Sequence, residues 1–387
     1  MQLGRSRRGV TVLIIVMVAL VGVGNAYADT RTISDGNDRP GPLDIRSARH
    51  AHDGTRVVHR ISTFSTWRSG VIGRNTSNLF AVEISTDGDP ALERVVLVFS
   101  ANGRLVAQVF RLPAGTLVGA ASASRPNGRT VRVSIPRSRL GNVTGYRWNA
   151  HSQYRAAGAC SGFCFDRAPN SGRVLHDIAA PAVALTSFPI VAPDLEYDVS
   201  FTVSDKGGAG LDSWELQYRP FGTSSWTTVE SGTTGGLKTH HHASAEDNDD
   251  EFRVVAVDRH GNERILLRLV SVPIDDTSGQ IVYTGPWTHG AGDPLDFRDT
   301  LSTTVDGFAD VELTFTGQYV AWVAPGGEGC AQVTVDTTGG DEVDLTEFSG
   351  RRQIVFQHTF ANVGTHTISI SLLCFPGTLP IDGFIVR

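Results

Sequence analysis

The feature that most restricts the fold of this chain is its punctuation. Apolar residues recur at every second position in short stretches, and turn dipeptides such as Asp87-Gly88, Asn102-Gly103 and Asn127-Gly128 cut those stretches apart. Period-two alternation turns one face of an extended segment to a core and the other to water. N-G or D-G between two such segments marks a hairpin. Residues 55–64, 79–85, 94–99, 105–112 and 130–135 follow this rule, as do 197–203, 213–219, 252–258, 311–315, 319–323, 331–335, 353–356 and 367–373. A charged share of only 19%, with 42 Gly and 17 Pro, excludes coiled coils and long helical bundles. The 387 residues exceed one ordinary domain of roughly 100 to 200. The expectation is an all-β protein: three consecutive antiparallel β-sandwich domains after a signal peptide.

The signal is read from residues 1–28. Arg5, Arg7 and Arg8 precede an uncharged apolar run over 10–23, and Ala26-Tyr27-Ala28 supplies the small-residue end that predicts cleavage after Ala28. The run is shorter than the roughly 20 residues of a spanning helix, a retained anchor being the competing reading. Nothing later is long and apolar enough to span, so the predicted location is extracellular, in solution or at the cell surface. Cysteine usage agrees with an oxidising compartment. Four cysteines allow three pairings. Pairing Cys160 with Cys164 and Cys330 with Cys374 keeps each bridge inside one domain, whereas a four-thiolate zinc site lacks paired C-x-x-C spacing.

Residues 29–42, broken by Pro40-Gly41-Pro42, read as a flexible lead-in. Residues 43–180 form the first block, with Trp67-Arg68-Ser69, Arg125-Pro126-Asn127-Gly128, Tyr146-Arg147-Trp148 and Phe165-Asp166-Arg167-Ala168-Pro169-Asn170. In these it resembles a basic β-sandwich of secreted actinobacterial proteins, similar to carbohydrate-binding modules and to DOMON-type folds. Residues 181–273 carry W-x-L-Q-Y-R at 214–219 and F-R-V-x-A-V-D-x-x-G-N at 252–262. That block resembles a fibronectin type III or immunoglobulin-like domain, which implies a spacer or interaction module. Residues 274–387, with Phe315-Thr316-Gly317, Trp322-Val323-Ala324-Pro325, Gly364-Thr365-His366 and Ile381-Asp382-Gly383-Phe384, resemble a galactose-binding-like jelly roll. This resemblance implies loops able to hold a sugar.

Catalysis needs a nucleophile with its base, a pair of carboxylates or a metal. The sequence has no G-x-S-x-G, no H-E-x-x-H, no phosphate-binding glycine loop and no G-x-G-x-x-G opening a helix, so a non-catalytic protein is expected, with an extracellular hydrolase as the competing class. His240 and His242 share strand parity and form a candidate metal pair. Asp87 and Asp89 with Glu93 form a candidate calcium turn, although Pro90 and Leu92 break the alternate spacing of an EF-type loop. No other cofactor is expected. Aromatic platforms for a sugar face are sought in Trp287, His289, Tyr319 and Trp322. Trp287 lies in the turn Gly285-Pro286-Trp287-Thr288, whereas Trp322 lies within an apolar stretch and differs in parity from Tyr319.

Charge is unevenly distributed. Residues 29–180 hold 20 arginines, no lysine and 11 acids, a net +9, while 181–273 carry −7 and 274–387 carry −11. The overall −6 therefore averages a basic block with two acidic ones. Arginine's planar fork suits anionic groups, so the first block is expected to dock on an anionic cell-wall polymer or to pack on its acidic neighbours. No nucleic-acid motif accompanies it. The functional expectation is a secreted binding protein for cell envelope or extracellular polysaccharide; the alternative is a structural module that binds a protein partner through its β domains.

Overall fold

The computed structural model describes residues 29–73, 77–155, 160–336 and 338–387. The predicted signal segment 1–28 lies outside the described residues. Almost every element is a strand, and the strands fall into three successive units.

The first unit contains β1 (Arg31–Ser34), β2 (Ile45–His52), β3 (Arg56–Thr63), β4 (Leu79–Ser85), β5 (Arg94–Ala101), β6 (Arg104–Arg111), β7 (Thr116–Asn127), β8 (Thr130–Pro136), β9 (Gly145–Tyr154), β10 (Cys164–Ala168) and β11 (Val174–Asp177). They pair in the order β1-β2-β3-β8-β7-β6-β5-β4-β9-β10, with β11 also on β9. β7 joins the layers: its first half pairs with β6 and its second half with β8. The core holds Phe80, Val82, Val96, Val109, Val133, Tyr146 and Trp148, all buried. Asn102 and Gly103 both take positive φ between β5 and β6, the two-residue turn that an N-G pair favours.

The segment 29–42 is not a free lead-in. β1 pairs with β2 from Arg31↔His50 to Ser34↔Ser47. Asp29 is buried: Oδ1 accepts from His50 Nε2 at 3.0 Å, and Oδ2 accepts from His260 Nδ1 at 2.9 Å and from the Asp177 N–H at 2.7 Å. The hydrogen bond from Trp148 Nε1 to His50 Nδ1, 2.7 Å, fixes the His50 tautomer with its proton on Nε2. Polarity alone gave no sign of this anchorage, because a buried acid is stable only when such donors converge on it.

The middle unit is a sandwich of β12 (Ala182–Ser187), β13 (Glu196–Ser204), β14 (Leu211–Pro220), β15 (Thr227–Gly232), β16 (Gly236–Ala243), β17 (Asn248–Asp258) and β18 (Glu263–Val272). Its sheets run β12-β13-β16 and β15-β14-β17-β18. Alternation is obeyed: Trp214 and Leu216 on β14 and Phe252, Val254 and Ala256 on β17 all reach the core.

The last unit comprises β19 (Ile274–Asp275), β20 (Ile281–Thr284), β21 (Thr288–Ala291), β22 (Thr300–Thr304), β23 (Asp310–Ala324), β24 (Cys330–Val335), β25 (Thr338–Asp344), β26 (Gln353–Leu372), β27 (Leu379–Ile381) and β28 (Gly383–Val386). A large sheet, β19-β28-β23-β26-β24-β25 with β20 on β23, faces a small one, β21-β22-β27. The stretches 311–315 and 319–323 are one strand, as are 353–356 and 367–373. Gly317 pairs with Gly364 and a bulge follows before Tyr319, so the strand bends without ending. Cys160–Cys164 and Cys330–Cys374 are both bonded. No helix among the described residues is long and apolar enough to cross a membrane, which says nothing of strands.

Candidate functional site

Four connections in the last unit cross from one sheet to the other, the shortest being Asp382 between β27 and β28. Residues 285–287 link β20, on the large sheet, to β21 on the small one; residues 305–309 link β22 back to β23; residues 373–378 link β26 to β27. Each of the other three carries one aromatic ring: Trp287, Phe308 and Phe375. These rings line one open cleft of about 630 Å³, together with Pro286, Thr288, Thr303, Thr304, Val305, Asp306 and Gly307.

Local chemistry sets each ring. Gly285 takes φ +85°, and a Cβ there would meet Ala309 Cα at 3.0 Å, so the turn before Trp287 requires glycine. Trp287 Nε1 donates to Thr284 O at 3.1 Å, and its ring meets Tyr283 edge-on at 4.8 Å. Thr304 Oγ1 donates to Pro286 O at 2.8 Å, tying two crossings together. Asp306 Oδ1 accepts from the Phe308 N–H at 2.8 Å and its carbonyl accepts from the Ala309 N–H at 3.1 Å, closing the turn that presents Phe308. Phe308 is 95% exposed and Phe375 78%. The Cys330–Cys374 bridge fixes the residue before Phe375 to the start of β24, and the Thr378 N–H donates to Glu328 O at 3.2 Å on the other side.

Beneath the rim the chemistry is polar and paired. Tyr283 donates to Asp276 O at 2.7 Å, and Ser302 donates to Asp276 Oδ2 at 2.6 Å. His289, whose ring lies 4.6 Å from Tyr283, is 2.7 Å from Ser302 through Nδ1. Burial pushes the Tyr283 hydroxyl and the Asp276 carboxyl above their ordinary pKa ranges, against the hydrogen bonds from Ser302 and Thr300 on Asp276. Trp287 packs on this base and is half-buried, while Phe308 and Phe375 stand exposed. Exposed rings on a fixed turn can stack on an apolar ligand face, and Thr288, Thr303 and Asp306 offer hydroxyl and carboxylate partners beside them.

The structure brings Trp287 and His289 to the same corner and separates them from the other two candidates. Trp322 is a correction: it is fully buried, its indole donates to Pro380 O at 3.2 Å, and no face is left for a ligand. Tyr319 lies at the contact with the middle unit, its ring 4.5 Å from the Arg387 guanidinium and its hydroxyl 3.0 Å from Gln357. Arg387 also bonds Asp249 and Ser271 of the middle unit. Sequence reasoning missed Phe308 and Phe375, each a lone ring in a turn with no periodicity to mark it.

His240 and His242 share a face, with ring centroids 6.1 Å apart. Each meets its own carboxylate: His240 lies 3.6 Å from Glu230, and the buried His242 lies 3.3 Å from Asp250 among Tyr197, Tyr218 and Phe252. Tyr197 also donates to Asp250 at 2.7 Å, so this corner reads as core pairing. In the turn at 86–93, Asp87 Oδ1 accepts from the Asp89 N–H, Asp89 Oδ1 from the Ala91 N–H and Glu93 Oε2 from the Thr86 N–H, which is hairpin bonding.

No protein-family model matches the chain. Over 117 residues, 30% of this chain, it is 30% identical to part of a protein named A type blood N-acetyl-alpha-D-galactosamine deacetylase, from Flavonifractor plautii. That match spans only 15% of the relative. Among solved structures, carbohydrate-binding modules of the β-sandwich superfamily superpose with a TM-score of 0.28 at 14% identity, over 54% of this chain and 98% of theirs. A marsupial T cell receptor superposes at 0.34 and 6% identity, over 91% of this chain and 98% of its own. Scores this low carry no argument about fold or ligand. This chain is similar over a limited span to part of a much longer protein, and its site is defined by its own geometry.

Proposed function

We propose that this is an exported, non-catalytic glycan-binding protein and that the cleft bearing Trp287, Phe308 and Phe375 holds the sugar. The observation that carries the reading is the convergence of three rings, from three of the four inter-sheet crossings, at one open cleft. Sugar rings have apolar faces that stack on aromatic side chains, and a ring on a disulfide-tied or glycine-fixed turn loses little entropy on binding. Among the described residues lining the cleft, Asp306 is the single acid. Glycoside hydrolysis ordinarily needs two carboxylates, so this composition favours holding a glycan over cutting it. The partial match to a protein named for acting on a sugar derivative supports the class of ligand. The signal-like segment 1–28 and the two disulfides support an extracellular location.

Titration of wall-derived and host-type oligosaccharides against wild type, Trp287→Ala and Phe308→Ala is the test. The expected outcome is saturable binding weakened roughly 2- to 13-fold per ring removed, from an aromatic contribution of about 0.5–1.5 kcal/mol. A second reading, docking of a protein partner, is favoured by the same exposure of Phe308 and Phe375. It predicts capture of one protein partner, lost in the ring variants, with no response to any glycan.

A further inference from the structure

At one end of the first unit, far in sequence from the cleft, four aspartates converge. Asp35 and Asp38 follow β1, Asp44 directly precedes β2, and Asp166 lies on β10. One carboxylate oxygen from each of Asp35, Asp38 and Asp166 lies within 4.8 Å of the other two. Two oxygens on opposite sides of a calcium ion, each at about 2.4 Å, are about 4.8 Å apart, so these three fit within one coordination shell.

Two buried groups beside them lack partners. Asp44 is 1% exposed; its Oδ1 takes a 3.3 Å hydrogen bond from the Arg39 N–H, while its Oδ2 has no donor among the described residues apart from the Asp166 carboxyl that it faces. Tyr154 is fully buried, its hydroxyl has no partner among the described residues, and the charges of Asp44 and Asp166 act on it. Orphaned buried polar atoms are rare because each forfeits its hydration. Here both sit against a set of acids.

The donors that do reach the set are neutral. Asn170 Nδ2 donates to Asp35 at 3.0 Å and to Asp38 at 3.4 Å, and Asp166 accepts from the Ile45 and Arg167 N–H groups at 2.5 and 2.7 Å. Burial, together with the neighbouring carboxylates, pushes Asp35 and Asp166 up to about 6. We propose that Asp35, Asp38 and Asp166, with Asp44 beside Asp166, bind a calcium-sized divalent cation that ties the β1–β2 connection to β10. The set is all oxygen, which suits a hard cation and not zinc. Rotation of the Asn170 amide would offer a further oxygen. Ligands from two loops and a strand favour calcium, which tolerates irregular shells, over magnesium, which demands an octahedron.

Two other acid clusters have their carboxylate oxygens met by backbone donors. Asp87, Asp89 and Glu93 are engaged by backbone donors in their own turn. The oxygens of Asp177, Asp205 and Asp258 accept from Ala179, Ala209, Gly207, Gly210, His260 and Asn262. The cation site is independent of the glycan reading and stands or falls on its own measurement.

That measurement is calorimetric titration of the chelator-stripped, otherwise intact protein with calcium chloride, paired with thermal unfolding. The expected result is one site with a Kd of roughly 10⁻⁶ to 10⁻⁴ M. A melting transition should rise by about 5 °C in millimolar calcium and stay put in equal magnesium. Asp35→Asn with Asp38→Asn should weaken binding at least about tenfold, with Asp38→Asn alone as the milder, exposed variant. Asp87→Asn with Glu93→Gln should leave it unchanged. No binding heat by wild type in about 5 mM calcium overturns the proposal, and so does wild-type affinity in both Asp38 variants or loss of binding confined to the Asp87 pair.

Discussion

Two tryptophans in one sandwich illustrate how position decides role. Trp322 lies on an apolar strand and is wholly enclosed, whereas Trp287 lies in a turn and lines the cleft. Trp322→Ala is expected to cost about 3–5 kcal/mol of stability by opening a core cavity. Phe308→Ala, at a ring 95% exposed, should leave denaturant midpoints within the usual ±0.5 kcal/mol of a surface change while weakening ligand binding. Side-by-side urea melts separate the two. Turn chemistry made Trp287 legible in the sequence, because Gly-Pro-Trp cannot continue a strand. The isolated Phe308 and Phe375 were not legible, since a single ring in a turn carries no period and only the three-dimensional crossing brings it to Trp287. Asp382 gives a prediction in pH. It is fully buried, and burial, with Asp296 and Asp276 nearby, pushes its carboxyl up to about 7 from 3.8. The folded state therefore binds more protons than the unfolded between those values. The contribution is complete below 3.8 and is lost as pH rises through 7. The last unit should melt at a lower temperature at pH 8 than at pH 5, and Asp382→Asn should shrink that difference; an unchanged difference would remove Asp382 as its source.

Among the strands, β2, β3 and β8 carry a feature that composition could only suggest. Arg49 pairs in register with Arg60, and Arg60 with Arg132, so three guanidinium-bearing positions stand side by side on three neighbouring strands around a small hollow also lined by Ala51 and Val58. Like charges directly opposite one another destabilise a sheet, by roughly 0.2–1 kcal/mol per pair. Arg60→Thr should therefore raise stability slightly and, if this row docks an anionic polymer, reduce both affinity and the steepness of its salt dependence. A salt-titrated pull-down on purified wall polymer measures both. The net +9 of residues 29–180 pointed to such a surface, but register was needed to locate it. Strand legibility follows the same logic. The stretch 79–85 coincides with β4, and 94–99 falls within β5, because large apolar side chains alternate there. β7 had no such signal: its Ala, Gly and Ser side chains leave nothing for a period to act on, although it connects both layers of the unit.

At the scale of the molecule, specific polar contacts join the three units. Asp29 holds His50 and Asp177 of the first unit and His260 of the middle one, while Arg387 and Arg298 of the last reach Asp249 and Glu246 of the middle. Burial raises the Asp29 pKa, but the hydrogen bonds from His50 and His260 outweigh it and hold the carboxyl below its ordinary value. Asp29→Ala leaves three donors unpaired and should cost several kcal/mol, read as a lower melting transition of the first unit. The uneven charge read from the sequence thus sits on units joined by chosen pairs, with the basic row on the first and the ring cleft on the last. Reducing Cys330–Cys374, which closes 44 residues and anchors Phe375, should cost about 2–5 kcal/mol and weaken the cleft with it. The central claim is that the three-ring cleft binds glycan. Its most direct test is a glycan-array screen of the intact protein, followed by titration of the best oligosaccharide against wild type and the Trp287→Ala, Phe308→Ala, Phe375→Ala triple variant. Saturable binding by wild type that is lost in a triple variant with unchanged thermal unfolding is the predicted result; equal binding by both proteins, or no glycan bound by wild type, would contradict it.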